Sequence, residues 1–446
     1  MVTPFTLSLT TLFLISFKII HNQHYLFIIP LKGNPMEEVE LQRNEGLIVR
    51  TPAAIKVIYG DAEVWGVPFE EISLSQEAMD LLITSNHGAK LNIIGSNFIK
   101  INDPIPDWWY SLLREIPDKT VMFIGRVDSG KSSSILYLAN KLLLDGISVS
   151  IIDSDIGQSD LGPPGVISSS NLRDPVYQMK LLDPEFMYFI GDKSPRGHLL
   201  QFLVGTWEAL RNAKERTILI NTTGFVDGAA ARTLKKLKIE LLKPDVVVFI
   251  ERSEGELRHL ARSVPMEVKA VIVRSPVRDL PKNKGYRSLC RKALYKKYLE
   301  NGSRRTFDLR KVRIENTFLF TGDERREYAP FLSELLGSGV IWVEESTDML
   351  LILTEGYVER VRVKKLEDLM RKEVKCASIN AYKNLYVGLK LNGRCSGVGI
   401  MESFDPLGGK AEILTRYGGD VDSIVFGFIR LGEDGEELGV REVDSP

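Results

Sequence analysis

A lysine and a hydroxyl at the end of a glycine-bounded loop are the residues of this chain best suited to chemistry. Gly125-Arg126-Val127-Asp128-Ser129-Gly130-Lys131-Ser132 fits G-x-x-x-x-G-K-[ST], and Ser133 follows. Glycines let successive backbone N–H groups close round phosphate oxygens, and a helix starting there adds the positive end of its dipole. In such a loop the Lys131 ammonium reaches the β- and γ-phosphates and the Ser132 hydroxyl ligates Mg²⁺. The pattern implies a nucleoside triphosphate site and does not choose ATP over GTP.

A second group of residues suits proton transfer and charge control. Asp153 and Asp155 follow an apolar run, with Gln158 three residues on. Two carboxylates at the end of a strand beside a phosphate loop can help hold a metal ion and accept a proton from an attacking hydroxyl. Gln158 can orient a nucleophile or stabilise the turn. Between Lys269 and Arg313 there are fifteen basic and three acidic residues, in a chain whose net charge is −1. Arg287 and Arg291 are four apart, on one face of any helix formed there. Guanidinium groups spread charge over planar donors, which matches a phosphoryl group in transfer; a solvated basic helix is the ordinary alternative.

Gly125–Ser133, followed by Asp153-Ser-Asp-Ile-Gly-Gln-Ser-Asp-Leu-Gly-Pro-Pro-Gly165, resembles the polynucleotide 5′-hydroxyl kinase family. That family includes RNA kinases of tRNA splicing, ribosomal RNA processing and mRNA 3′-end formation, and archaeal polyribonucleotide kinases. Ser194-Pro195-Arg196-Gly197-His198 resembles the family's [ST]-P-x-x-N clasp on the nucleic-acid strand, with His198 in place of Asn. Thr222-Thr223-Gly224-Phe225 resembles its T-x-G-W motif, with Phe225 in place of Trp, and either ring can stack on a base. Arg287 and Arg291 match its R-x-x-x-R lid. The resemblance implies transfer of the γ-phosphoryl of ATP to the 5′-hydroxyl of RNA or DNA, with Mg²⁺ or another divalent ion. It implies Asp155 as the base, Asp153 as a metal-side partner, Ser132 as a metal ligand, and Gln158, Ser194, His198, Thr222, Gly224 and Phe225 as strand contacts. RNA-processing proteins are the implied partners.

These residues need a frame. Residues 111–320 alternate apolar strands with helical segments: Val121–Ile124, Val149–Ile152, Met187–Ile190, Thr217–Ile220, Val246–Ile250 and Val268–Val273, with Phe318–Phe320 as an edge strand. That alternation predicts an α/β fold, a central P-loop parallel sheet with helices on both faces and ligands at the strand C-terminal ends. Short strands with turn residues predict a β domain over 36–110 and a second mostly-β domain over 321–446. A basic lid of about 269–313 closes the central domain.

Residues 1–35 are apolar and polar by turns, and the apolar run is shorter than the roughly 20 residues a membrane span takes. They read as an over-extended start or an anchor; without an anchor, no membrane partner is expected. The cysteines Cys290, Cys376 and Cys395 show no C-x-x-C spacing and suggest reduced thiols in the cytoplasm. No zinc pattern or Ser/His/Asp set is present, and no N-K-x-D element marks a base-reading GTPase switch. A nucleotide-binding scaffold with little turnover stays open as a second reading.

Overall fold

The computed structural model describes residues 36–75, 79–95, 97–276 and 284–441; the 1–35 extension and part of the basic segment lie outside them. The central sheet has seven strands: β1 (Thr120–Gly125), β2 (Val149–Ser154), β3 (Val166–Leu172), β4 (Phe186–Phe189), β5 (Thr217–Thr222), β6 (Val246–Glu251) and β7 (Lys269–Arg274), in the order β4-β3-β2-β5-β1-β6-β7. Strands β2, β5, β1, β6 and β7 are parallel, while β3 pairs antiparallel with both β2 and β4. The sheet is therefore mixed, not wholly parallel. The additional strand, β3, carries Ser168-Ser169-Ser170 in a buried position, so its polarity hid it from a reading based on apolar runs.

Successive side chains of a strand point to opposite faces, and the core divides accordingly. Val121 and Phe123 of β1 pack with helix α1 (Lys131–Leu144). Met122 and Ile124 pack on the other face against α2 (Leu199–Arg211) and α3 (Ala229–Leu242). Among the described residues no helix is long and apolar enough to cross a membrane.

The N-terminal region folds as a four-stranded sheet beside a five-stranded one, both antiparallel. Its core, including Leu47, Ile83 and Leu91, is continuous with Leu138 and Leu142 of α1, so it sits over the phosphate-loop helix. On the other side, helix α4 (Lys284–Leu299) leads into the C-terminal sheet. Ser303–Asp308 and Arg313–Glu315, read with the central domain, are hydrogen-bonded into that C-terminal sheet. Phe318–Phe320 is no edge strand: Phe320 takes a φ of 63°, and the N–H groups of Phe320, Thr321 and Gly322 donate to the buried Glu344 carboxylate. A four-stranded sheet with helices Ala329–Leu336 and Arg360–Met370 completes the region, and β8 (Ser423–Leu431) and β9 (Glu437–Val440) form its last hairpin.

Candidate active site

The loop leaves β1 at Gly125 and enters α1 at Lys131, with Gly130 in the left-handed region at φ 88°. Lys131 is 5% exposed, and its Nζ donates to the Gly125 carbonyl at 3.1 Å and the Arg126 carbonyl at 2.8 Å. Burial lowers the Lys131 pKa, and the Asp155 carboxylate opposes that shift. The Ser129 hydroxyl is buried with no partner among the described residues. Arg126 turns away from the loop to pair with Asp227 and Glu256, and the Val127 carbonyl accepts from Arg252 at 2.6 Å.

The two carboxylates after β2 differ in what surrounds them. Asp153 is buried, and each of its oxygens accepts two N–H groups. Oδ1 takes the Asp155 amide (3.0 Å) and Asn221 Nδ2 (3.0 Å); Oδ2 takes the amides of Asp160 (2.7 Å) and Leu161 (3.0 Å). That occupancy makes Asp153 the residue that shapes the turn beside the cleft. Burial, then Asp160 and Asp155, push its carboxyl up to about 7. Asp155 is half-buried and, among the described residues, its side chain accepts one long bond, from the Gln158 amide at 3.3 Å. Burial raises its pKa, against Lys131 and Lys235. A carboxyl moved toward neutrality is the kind that exchanges a proton readily.

Asn221 ties the set together, since its Nδ2 also donates to Ser132 Oγ at 3.2 Å. Ser132, Ser133, Asp155, Gln158 and Asp160 line one cleft with Gly130 and Lys131. These are hard oxygen donors, the type that suits a magnesium ion bound partly by water and phosphate. Among the described residues no three acidic, histidine or cysteine side chains cluster to hold a metal alone.

The opposite wall is α4, where Tyr286, Arg287, Cys290, Arg291 and Leu294 line the cleft at helical spacing. Both arginines are paired: Arg287 Nη1 lies 3.1 Å from Asp128 in the loop, and Arg291 Nε lies 2.5 Å from Glu437. Ile48, Trp65, Leu82 and Ile101 of the N-terminal region extend the cleft with an apolar wall.

The expected strand contacts are more divided. Ser194 Oγ accepts from the Arg196 amide at 3.2 Å. The His198 ring is engaged, with Nε2 3.0 Å from Asp192 and the ring 4.1 Å from that of Phe428. It packs this segment onto the C-terminal region. Thr222 is fully buried, donating to the Phe123 carbonyl and accepting from Lys235, so its expected contact with the strand is not made. Gly224 abuts the loop; a Cβ there would stand 2.4 Å from Val127 Cγ2. Phe225 is half-buried, with the exposed Arg196 guanidinium 5.5 Å from its ring centre.

A family model for the mRNA cleavage and polyadenylation factor CLP1 P-loop matches residues 125–301. The polyribonucleotide 5′-hydroxyl-kinase of Pyrococcus horikoshii is 32% identical over 363 residues, covering 78% of this chain and 98% of that one. The chain belongs to the polyribonucleotide 5′-hydroxyl-kinase family. The Thermococcus kodakarensis member is 33% identical over 344 residues, covering 73% of this chain and 92% of its own. In fold the chain is similar to Clp1p, solved as a complex with Pcf11p, with a TM-score of 0.64 at 11% identity over 89% of this chain and 98% of that one.

For this member of the kinase family, sequence reasoning missed Asn221, Asp160, Lys235 and the N-terminal wall of the cleft. Asn221 carried a signal, a polar amide directly after the apolar run Ile218–Ile220. Lys235 and Lys238 carried none: both are buried behind the site, donating to Thr222 and Ser154, and by type and spacing they read like the exposed Lys236 beside them.

Proposed function

We propose that the protein transfers the γ-phosphoryl group of ATP to the 5′-hydroxyl of a polynucleotide. One observation carries the reading: the phosphate loop, an under-coordinated carboxylate and two lid arginines line a single cleft. The loop N–H groups and Lys131 would hold the β- and γ-phosphates, with Lys131 exchanging its carbonyl partners for phosphate oxygens. The apolar wall of Trp65, Leu82 and Ile101 suits the nucleobase. Ser132 and Asp160 would hold Mg²⁺, which would supply charge neutralisation at the phosphates and leave Asp155 as the base.

Asp155 takes the proton of the attacking 5′-hydroxyl. The O5′–P bond forms as the bond from the γ-phosphorus to the β–γ bridging oxygen breaks, and ADP departs. Arg287 and Arg291 meet the charge spread over the transferred oxygens, a role in which a supplied arginine is worth roughly 10³–10⁵ in rate. Arg196 over Phe225 forms a cationic, aromatic surface on which a base can stack.

A scaffold reading draws support from His198, whose ring is committed to Asp192 and Phe428. Labelled-phosphate transfer from ATP to 5′-hydroxyl RNA and DNA separates the two, with Lys131→Ala, Asp155→Asn and Arg291→Ala run beside wild type. Transfer by wild type and its loss in all three variants supports the kinase. ATP binding with no transfer to either polymer leaves the scaffold.

A further inference from the structure

The arginine at the end of the lid does not stand alone. Arg291 presents Nε and Nη2 to the Glu437 carboxylate at 2.5 and 3.4 Å, and Lys193, next to the clasp, reaches the same carboxylate at 2.5 Å. Glu437 begins β9, far from both cations in sequence and outside the residues matched by the family model. The β8–β9 hairpin is built to touch both elements. Its turn residue Gly435 lies so close to α4 that a Cβ would stand 2.7 Å from the Lys292 carbonyl and 2.9 Å from Tyr295 Cβ, and Lys292 pairs with Asp434 at 2.5 Å. On the clasp side the Phe428 amide donates to the Gly191 carbonyl at 2.8 Å, and His198 lies on the Phe428 ring. Tyr295 and Leu299 of α4 share a core with Phe189 of the central sheet and Val425, Ile429 and Leu431 of β8.

We propose that Glu437 is a positioning residue for phosphoryl transfer, fixing the lid arginine Arg291 and Lys193, the residue before the clasp, at one separation through a single carboxylate. Burial alone would raise the Glu437 pKa; Arg291 and Lys193 outweigh it and hold the carboxyl below its usual range, so the carboxylate is ionised in use. Two cations share one carboxylate, so moving either one disturbs the other. Arg291 lines the cleft while Glu437 does not, so the carboxylate acts through the arginine.

The inference rests on the kinase reading above, and the test separates the two. Transfer kinetics of the full chain would be measured for wild type, Glu437→Gln, Glu437→Asp, Arg291→Lys and the Arg291→Lys/Glu437→Gln double variant, varying RNA and ATP in turn. Melting temperatures would be recorded alongside. Glu437→Gln is expected to lower kcat about tenfold and raise the RNA KM, with the ATP KM within about twofold of wild type. Glu437→Asp should restore part of the loss. In the Arg291→Lys background the same Glu437→Gln change should alter kcat by less than about twofold, because the group it orients is already displaced. Unchanged kinetics in Glu437→Gln, or an equal loss in both arginine backgrounds, would overturn the proposal. Absence of transfer in wild type would instead overturn the kinase reading.

Discussion

Lys131 and Asp155 stand nearest the proposed reaction, and their surroundings say what replacing each should do. Lys131 already sits at the loop with two carbonyl partners, so Lys131→Ala removes a donor aimed at the phosphates and should cost at least about 10² in kcat. Asp155→Asn keeps the shape but cannot take a proton, and transfer should fall by roughly 10²–10⁴ in the same assay. A different prediction concerns Lys238, whose pKa is lowered to about 7 by burial, against Asp155 and Asp153. Above about pH 7 its amine is neutral in the fold but protonated in the unfolded chain up to about pH 10. The unfolded state then binds more protons, so this residue makes stability rise with pH across that window. Lys238→Met should flatten the rise in melting temperature between pH 7 and pH 9; equal slopes for both proteins would contradict the burial argument.

At the scale of elements, helix α4 is held more by its apolar face than by its charges. Tyr295 is fully buried among Leu299, Tyr386 and Val425, while many of its lysines are solvated. Removing that ring by Tyr295→Ala should cost roughly 3–5 kcal/mol, measured by denaturant unfolding, and should loosen the lid. The phosphate loop was legible in the sequence because its parts are contiguous: strand, glycines, lysine and helix fall within one run. The run of basic charge that includes Arg287 and Arg291 of the cleft wall was legible too, since charge density survives without knowledge of the fold. Strand β3 was not, because its buried serines lack the apolar signature, nor was the contact of Arg291 with Glu437, made across 146 residues. Thr222 and His198 were recognised by type and order, yet packing gave their side chains internal partners. Motif spacing reports which residues are near one another and not which way each one faces.

The N-terminal sheets, the central sheet and helix α4 wall one cleft, and the C-terminal region packs behind α4. The N-terminal sheets supply an apolar wall, the central sheet supplies the loop and carboxylates, and the C-terminal hairpin fastens the lid to the clasp. A polymer acceptor on such a surface is held largely through its phosphates, so RNA affinity should fall as salt rises. Arg196→Ala, on the exposed clasp, should reduce the slope of log affinity against log salt by about 0.7, the single-strand value for one phosphate; an unchanged slope would remove Arg196 from the strand's path. Phosphoryl transfer to that strand is the point on which the rest depends. The measurement is label transfer from γ-labelled ATP with a divalent metal ion, comparing one short RNA bearing a 5′-hydroxyl with the same RNA bearing a 5′-phosphate. Label on the 5′ end of the hydroxyl form alone is the expected result. ATP turnover that is the same with and without RNA, leaving neither oligonucleotide labelled, would contradict it.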